Sequence, residues 1–372
     1  MNSTAHEWHR LSNEGDVPSP ALLIYRDRVE ENIGRMIRVA GDTGRLRPHM
    51  KTHKMAEVIR MQMERGITRF KCATIAEVEM TAAAGAEDVL LAYQPVGPNV
   101  DRFVELVAKF PSARLSCTVD NPSSVGDLSD AAARSSTHFE VLVDRDVGQH
   151  RTGIAPSSHA FDLYRLIAAL PALAPGGLHA YDGHIHDPDL AARSVACESA
   201  FAPVEVLRRK LEWEGLSVPR VVAGGTPTFP MHARRGDVEC SPGTCVLWDA
   251  GYGKKLPDLD FLPAALVLTR VVSKPTPDRL CLDLGHKAIA SEMPHPRVVF
   301  LSLSDAQVVA HNEEHLVLET AEADAFKRGD CLYGIPWHIC PTVALHSEAA
   351  VVVGGAATQR WKIAARERKL TI

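Results

Sequence analysis

Apolar and polar positions along this chain follow two periods in turn. Val29, Ile33, Met36, Ile37 and Ala40 fall at i, i+4, i+7, i+8 and i+11, the stripe of an amphipathic helix. Beyond it, short β-rich apolar runs recur at 45–51, 70–75, 88–93, 114–119, 139–144, 177–181, 220–224 and 238–242. Segments of helical period separate them, most clearly at 54–65, 99–110, 158–170 and 190–214. Asn121-Pro122 and Asp187-Pro188 supply the turn and cap chemistry that starts such helices. Strands separated by helices must pair in parallel. Eight such units predict an α/β architecture, a closed (β/α)8 TIM barrel over 26–262.

After about residue 262 the texture changes. Short β-type runs at 265–272, 279–284, 298–303, 307–310, 316–319, 330–335, 342–345 and 349–353 follow one another through turn-like connections. They predict a β-rich C-terminal domain over 263–372. The run at 21–25 precedes the first helix. It is expected to pair with that C-terminal sheet, so the strand 20–25 is assigned to the β-domain. No internal repeat, low-complexity tract or long linker interrupts the pattern.

Composition narrows the function classes. A barrel takes about 250 residues, so a chain of 372 has room for a second domain. With 45% hydrophobic residues the chain can build a sizeable core. The 41 basic and 46 acidic residues give a formal charge of −5 with no basic block, which excludes nucleic acid as the main partner. The longest apolar runs, 264–268 and 349–353, are too short to cross a bilayer, so no membrane partner is expected. The polar start, 1–10, carries no apolar signal region. Eight cysteines without a CxxC pair read as reduced thiols, and the expected location is cytoplasmic.

In a parallel barrel the chemistry sits at the C-terminal ends of the strands. The first end reads Arg47-Pro48-His49-Met50-Lys51-Thr52-His53-Lys54. A partly desolvated lysine there is a nucleophile toward an aldehyde; by itself the stretch reads more readily as an ordinary charged surface loop. The seventh end reads Ala223-Gly224-Gly225-Thr226-Pro227-Thr228, and the eighth Ser241-Pro242-Gly243-Thr244. Glycine turns with threonine hydroxyls at these two ends suit a phosphate, although tight turns look the same. A lysine at strand one facing a phosphate cradle at strands seven and eight points to pyridoxal phosphate held as a Schiff base.

The stretches RPHMKTHK, KCATIAEVEM, DVGQHRTG, HAYDGH, GGTPT, SPGT and HICPTVALH, in this order, resemble the D-threonine aldolase and D-serine dehydratase group. That group belongs to the alanine-racemase-like, fold-type III pyridoxal-phosphate enzymes, and the resemblance runs from about residue 21 to the end. It implies that Lys51 is the Schiff-base lysine. It implies that Arg151 stands near the cofactor's phenolic oxygen and Tyr181 near its pyridine nitrogen. Gly225, Thr226, Gly243 and Thr244 match the phosphate turns. Thr74 is a cofactor contact or, equally, a core threonine at a strand end. The resemblance also implies a divalent metal. His338 and Cys340, one residue apart and so on one side of a strand, offer imidazole and thiolate ligands. Some relatives carry Asp in place of Cys340. The thiolate favours zinc, with manganese the alternative. Of His49, His53, His184 and His186, His184 is the candidate proton carrier.

The implied activity is cleavage of D-threonine and related β-hydroxy-D-amino acids to glycine and an aldehyde. The same parts serve a D-serine or D-3-hydroxyaspartate dehydratase that gives a keto acid and ammonia. A non-catalytic pyridoxal-phosphate carrier is a third reading, which the β-domain and its HxC pair oppose. A homodimer is implied by the resemblance alone.

Overall fold

The computed structural model describes residues 7–372; residues 1–6, part of the polar start, lie outside the described residues. After a 3-10 turn at Glu14–Asp16 come strand β1 (Ala21–Tyr25) and helix α1 (Arg26–Ala40). Val29, Ile33, Met36 and Ala40 of the expected stripe are buried. The described chain forms two compact units. One combines residues up to Asn32 with Thr52–Lys54 and Val246–Arg366; the other combines Ile33–Lys51, Met55–Cys245 and Glu367–Ile372.

The second of these is the barrel. Its elements alternate as α2 (Ala56–Glu64), β2 (Arg69–Cys72), α3 (Ile75–Ala83), β3 (Asp88–Leu91), α4 (Pro98–Lys109) and β4 (Arg114–Val119). They continue as α5 (Pro122–Arg134), β5 (Phe139–Arg145), α6 (Ser158–Ala169), β6 (Leu173–Ala180), α7 (Leu190–Trp213), β7 (Val221–Ala223), α8 (Phe229–Ala233) and β8 (Val238–Cys240). Strands β2 to β8 pair in sequence order, all parallel. Residues 46–49 close the ring: Leu46 bridges to Cys240 and His49 to Lys71.

The expected first strand, 45–51, is therefore corrected to two single bridges. The turns Thr43–Arg45 and Met50–Thr52 are 3-10 helices. The reason is Pro48, which has no N–H to give a ladder. Its carbonyl still accepts from the Lys71 N–H at 2.9 Å, while the Arg47 N–H donates to Cys240 O at 2.8 Å.

Inside the ring, Leu90 of β3, Leu142 of β5 and Val222 of β7 pack together with Ala92. This alternate-strand layer is how small barrels fill their interior. Arg47, fully buried, donates from Nη1 to Asp88 Oδ1 at 2.7 Å and from Nε to Glu239 Oε2 at 2.6 Å. Asp88 opens β3 and Glu239 lies in β8, so one guanidinium ties the closing segment to β8 beside it and to β3, one strand beyond its β2 neighbour.

The other unit is antiparallel in character. It adds β9 (Ala265–Ser273), β10 (Arg279–Leu282), β11 (Val298–Phe300), β12 (Gln307–His311), β13 (Leu316–Glu319), β14 (Cys331–Pro336), β15 (Glu348–Val353) and β16 (Ala356–Lys362). Strand β1 lies between β9, antiparallel, and β15, parallel. Two short helices belong to the unit, α9 (Ala250–Lys255) and α10 (Ile339–Leu345). Helix α10 overturns the strand expected at 342–345. It also overturns the geometry by which His338 and Cys340 were to share a strand face. His338 is the extended N-cap of α10 and Cys340 lies in its first turn. The Ile339 N–H donates to Asp249 Oδ2 at 3.1 Å, and Thr342 Oγ1 donates back to His338 O at 2.8 Å. An early proline, Pro341, is tolerated in a helical first turn, where N–H groups have no partner within the helix.

Candidate active site

The barrel holds a cavity of about 530 Å³, a volume suited to a small ligand. Lys51, Arg151 and Tyr181, far apart in the sequence, all line it. The Lys51 backbone N–H donates to His49 Nδ1 at 3.3 Å. The Arg151 guanidinium stands 4.9 Å from the Tyr181 ring centroid. So the structure assembles a primary amine, a guanidinium and a phenol at one mouth.

The phosphate turns sit beside this group without lining the cavity. Thr226 Oγ1 accepts from the N–H groups of Gly243 (3.2 Å) and Thr244 (3.1 Å), which ties the β7 and β8 turns together. The Gly225 N–H donates to Thr228 Oγ1 at 3.3 Å. Thr228 Oγ1 in turn donates to Asp182 Oδ1 at 2.8 Å. Thr74 is the N-cap of α3, its Oγ1 accepting from the Glu77 N–H at 3.1 Å, and it does not line the cavity. His184 is exposed and also stands off the cavity wall.

Several wall residues were not singled out from the sequence. His179 Nδ1 lies 2.6 Å from Asp144 Oδ1, and burial lowers its pKa against the pull of that carboxylate. An imidazole that donates from Nδ1 keeps its basic lone pair on Nε2. Lys71 and Asp120 complete the charged wall. Behind the turns, Asp182 Oδ2 meets His232 Nε2 at 2.8 Å, and Cys197 Sγ lies 3.5 Å from the same nitrogen. Among the described residues this is the one group of three metal-type donors within 4.8 Å of one another. Spacing along a strand would have exposed His179, which sits two residues before Tyr181 and so shares its face. No local signal marks the meeting of Asp182, Cys197 and His232.

In the other unit, His338 Nδ1 contacts Glu292 Oε1 at 2.5 Å, and Cys340 Sγ donates to Thr52 Oγ1 at 3.3 Å. Burial opposes the charging of His338, but Cys340, Glu292 and Asp249 together raise it to about 9.

Two family models match the chain. "Alanine racemase, N-terminal domain" covers residues 24–248 and "Putative serine dehydratase domain" covers residues 264–352. A D-threonine aldolase from an Arthrobacter species is 30% identical over 357 residues, 94% of this chain and 93% of the relative. The chain belongs to the alanine-racemase-like family, in its D-threonine aldolase and D-serine dehydratase group. Another relative of this alanine-racemase-like protein is a 3-hydroxy-D-aspartate aldolase of Paracoccus denitrificans (strain Pd 1222), 28% identical over 95% of the chain and 93% of the relative. The crystal structure of a D-threonine aldolase from Filomicrobium marinum matches with a TM-score of 0.88 at 27% identity, covering 95% of this chain and 96% of that one. Both the family and the barrel-plus-β-domain architecture agree with the reading of the sequence. A fold-type III pyridoxal-phosphate enzyme is what that membership makes it. No helix among the described residues is long and apolar enough to cross a membrane.

The residues present fit pyridoxal phosphate. Gly225 offers bare backbone toward Tyr181: a Cβ there would stand 3.0 Å from Tyr181 Cε2. His179 Nε2 and Ser241 Oγ are buried without a hydrogen-bond partner. The donors at His338, Cys340 and Glu292 have the chemistry of a borderline divalent cation.

Proposed function

We propose that the protein is a pyridoxal-phosphate- and divalent-metal-dependent aldolase. Its substrates are D-threonine and related β-hydroxy-D-amino acids, and its products glycine and an aldehyde. The observation that carries this reading is the 30% identity to a D-threonine aldolase over 94% of the chain. When bound, the cofactor supplies an electron sink for the carbanion left at Cα.

The chain's own residues have distinct tasks. Lys51 Nζ holds the cofactor covalently. Arg151 and Tyr181 orient its ring from the cavity wall, and the Gly225, Thr226, Gly243 and Thr244 turns receive its phosphate. Thr74 closes the strand end as the cap of α3. His179, fixed by Asp144, is the imidazole that the cavity wall offers for moving a proton at Nε2. His338 and Cys340 hold the metal, zinc or manganese, which supplies Lewis acidity toward the β-hydroxyl. His184, exposed and off the wall, is left a secondary proton carrier.

Products decide the matter. Purified enzyme supplied with D-threonine should release acetaldehyde and glycine in equal amounts. A keto acid with ammonia, from D-threonine or D-serine, would instead make it a dehydratase, the reading favoured by the serine dehydratase model over residues 264–352. Absence of both product pairs would refute the lyase reading.

A further inference from the structure

Strand β2 brings a second lysine to the cavity wall. Lys71 is 1% exposed and lines the cavity with Lys51. Its Nζ stands 5.5 Å from the Tyr181 ring centroid. Among the described residues no carboxylate lies within 4.0 Å of that nitrogen. The carboxylates facing it are Asp144 and Asp182, and both are committed elsewhere. Asp144 takes His179 on Oδ1 and Thr152 Oγ1, at 3.0 Å, on Oδ2. Asp182 takes Thr228 on Oδ1 and His232 on Oδ2.

The cations around Lys71 repel it. Lys51 comes from the closing segment, Arg47 from the same segment below it, and Arg151 from the loop after β5. His49 and His179 are the imidazoles of the same wall, Asp120 its remaining carboxylate. A buried ammonium without an anion is costly, and a group in that position gives up its proton instead. Burial first, and Lys51 second, lower Lys71 to about 7.

We propose that Lys71 is the anion receptor of this cavity: its Nζ pairs with an anionic oxygen of the bound ligand and takes up one proton from solvent as the pair forms. The oxygen belongs either to the cofactor ring or to the amino-acid carboxylate. The balance is simple: amine plus proton gives ammonium, which pairs with the oxygen anion, and no bond of the ligand changes. The ligand class rests on the function proposed above, but the inference does not depend on which bond of the substrate breaks.

Linkage gives the sign. Above about pH 7 the amine must be protonated to form the pair, so binding draws up to about one proton from the medium. Well below pH 7 the amine is already charged, and uptake falls away. D-Alanine is the probe, because without a β-hydroxyl it cannot be cleaved between Cα and Cβ. Its binding to holoenzyme at pH 8, measured by calorimetry in buffers of different ionisation enthalpy, counts the protons taken up.

The wild type should take up more protons than K71M or K71R. K71R, permanently charged, should keep affinity within a few-fold, whereas K71M should lose about tenfold or more. The visible absorption of the holoenzyme from pH 5.5 to 9 separates the two sources. A titration step near neutrality that K71M abolishes assigns the cofactor oxygen; an unchanged spectrum with lost uptake assigns the carboxylate. Equal proton counts and equal spectra in wild type, K71R and K71M would overturn the proposal. K71R alone decides it if K71M does not fold. Failure of the product assay leaves this result standing, since D-alanine binding is read without turnover.

Discussion

Asp144 and His179 are direct register partners on β5 and β6, with His179 Nδ1 2.6 Å from Asp144 Oδ1. The contact depends on a bulge three residues upstream. Val141 pairs with Pro175 but Leu142 pairs with Gly177, so Gly176 is an extra residue in β6. A one-residue shift in a sheet reverses which face a side chain meets. Without the bulge, Asp144 would oppose Leu178.

Asp144→Asn tests what that contact does. An amide can donate to Nδ1, which moves the imidazole proton to Nε2 and removes the basic lone pair there. The variant should lose about a hundredfold or more in kcat with a smaller change in KM. Steady-state kinetics with a matched melting temperature check it. An unchanged kcat means His179 moves no proton.

Gly177→Ala tests the backbone that follows the bulge. Gly177 has φ +110°, and a Cβ there would stand 1.9 Å from Arg220 O. Backbone cannot yield as a flexible side-chain end can. The expected loss is at least about 2 kcal/mol, a fall of roughly 4–8 °C in melting temperature for a domain of this size. A melting temperature within a degree of wild type would refute the assignment.

Lys51→Ala tests the covalent attachment. Borohydride reduction of wild-type holoenzyme, followed by peptide mapping, should leave the reduced cofactor mass on the peptide containing Lys51. The variant should show no such adduct at any lysine. An adduct on Lys71 instead would exchange the roles of the two amines.

What was legible in the sequence was whatever period and strand-end position encode. Seven barrel strands and β1 lie where the alternation puts them, because a buried parallel strand must be a short apolar run. The closing segment 46–49 was legible as a position but not as a ladder, since Pro48 removes the donor a strand needs there. Helix α10 was hidden because Thr342, Val343 and Leu345 read as a strand. Its start is decided by Asp249, about ninety residues upstream, accepting from the Ile339 N–H. At the site, Lys51, Arg151 and Tyr181 were visible as motif residues at strand ends. Lys71 and the Asp144–His179 contact were not, because their significance lies in what their partners are already doing. Lys71 matters because Asp144 and Asp182 are engaged elsewhere, and no local spacing shows that.

Arg47→Met tests the ion network that ties the closing segment to β3 and β8. It would leave Glu239 with only Arg69, at 3.1 Å, and Asp88 with only Arg114, at 3.9 Å, at a cost of about 3 kcal/mol in urea unfolding. The network also has a pH signature. Burial raises the Asp88 pKa, but the Arg47 guanidinium outweighs burial and holds it below the ordinary carboxylate range. A depressed carboxylate contributes its full stability above its unfolded pKa and loses it as pH falls through the folded one. Stability measured from pH 6 down to pH 3 should therefore fall more steeply in wild type than in Asp88→Asn. Parallel curves would show that the pair contributes nothing.

The metal is tested by removal. Chelation and dialysis should suppress turnover about tenfold or more, and zinc or manganese should restore it to different extents that reveal which ion works. His338→Ala and Cys340→Ala should each lose the bound metal, counted by elemental analysis, while the visible absorption of the cofactor stays. That separation follows because neither His338 nor Cys340 lines the cavity that Lys51 shares with Arg151 and Tyr181. Cys340→Asp tests the ligand type. A carboxylate is harder than a thiolate, so this variant should retain a metal but shift its preference from zinc toward manganese. Metal content and turnover that survive both alanine variants would move the site elsewhere, first to Asp182, Cys197 and His232, whose donor atoms already lie within 4.8 Å of one another.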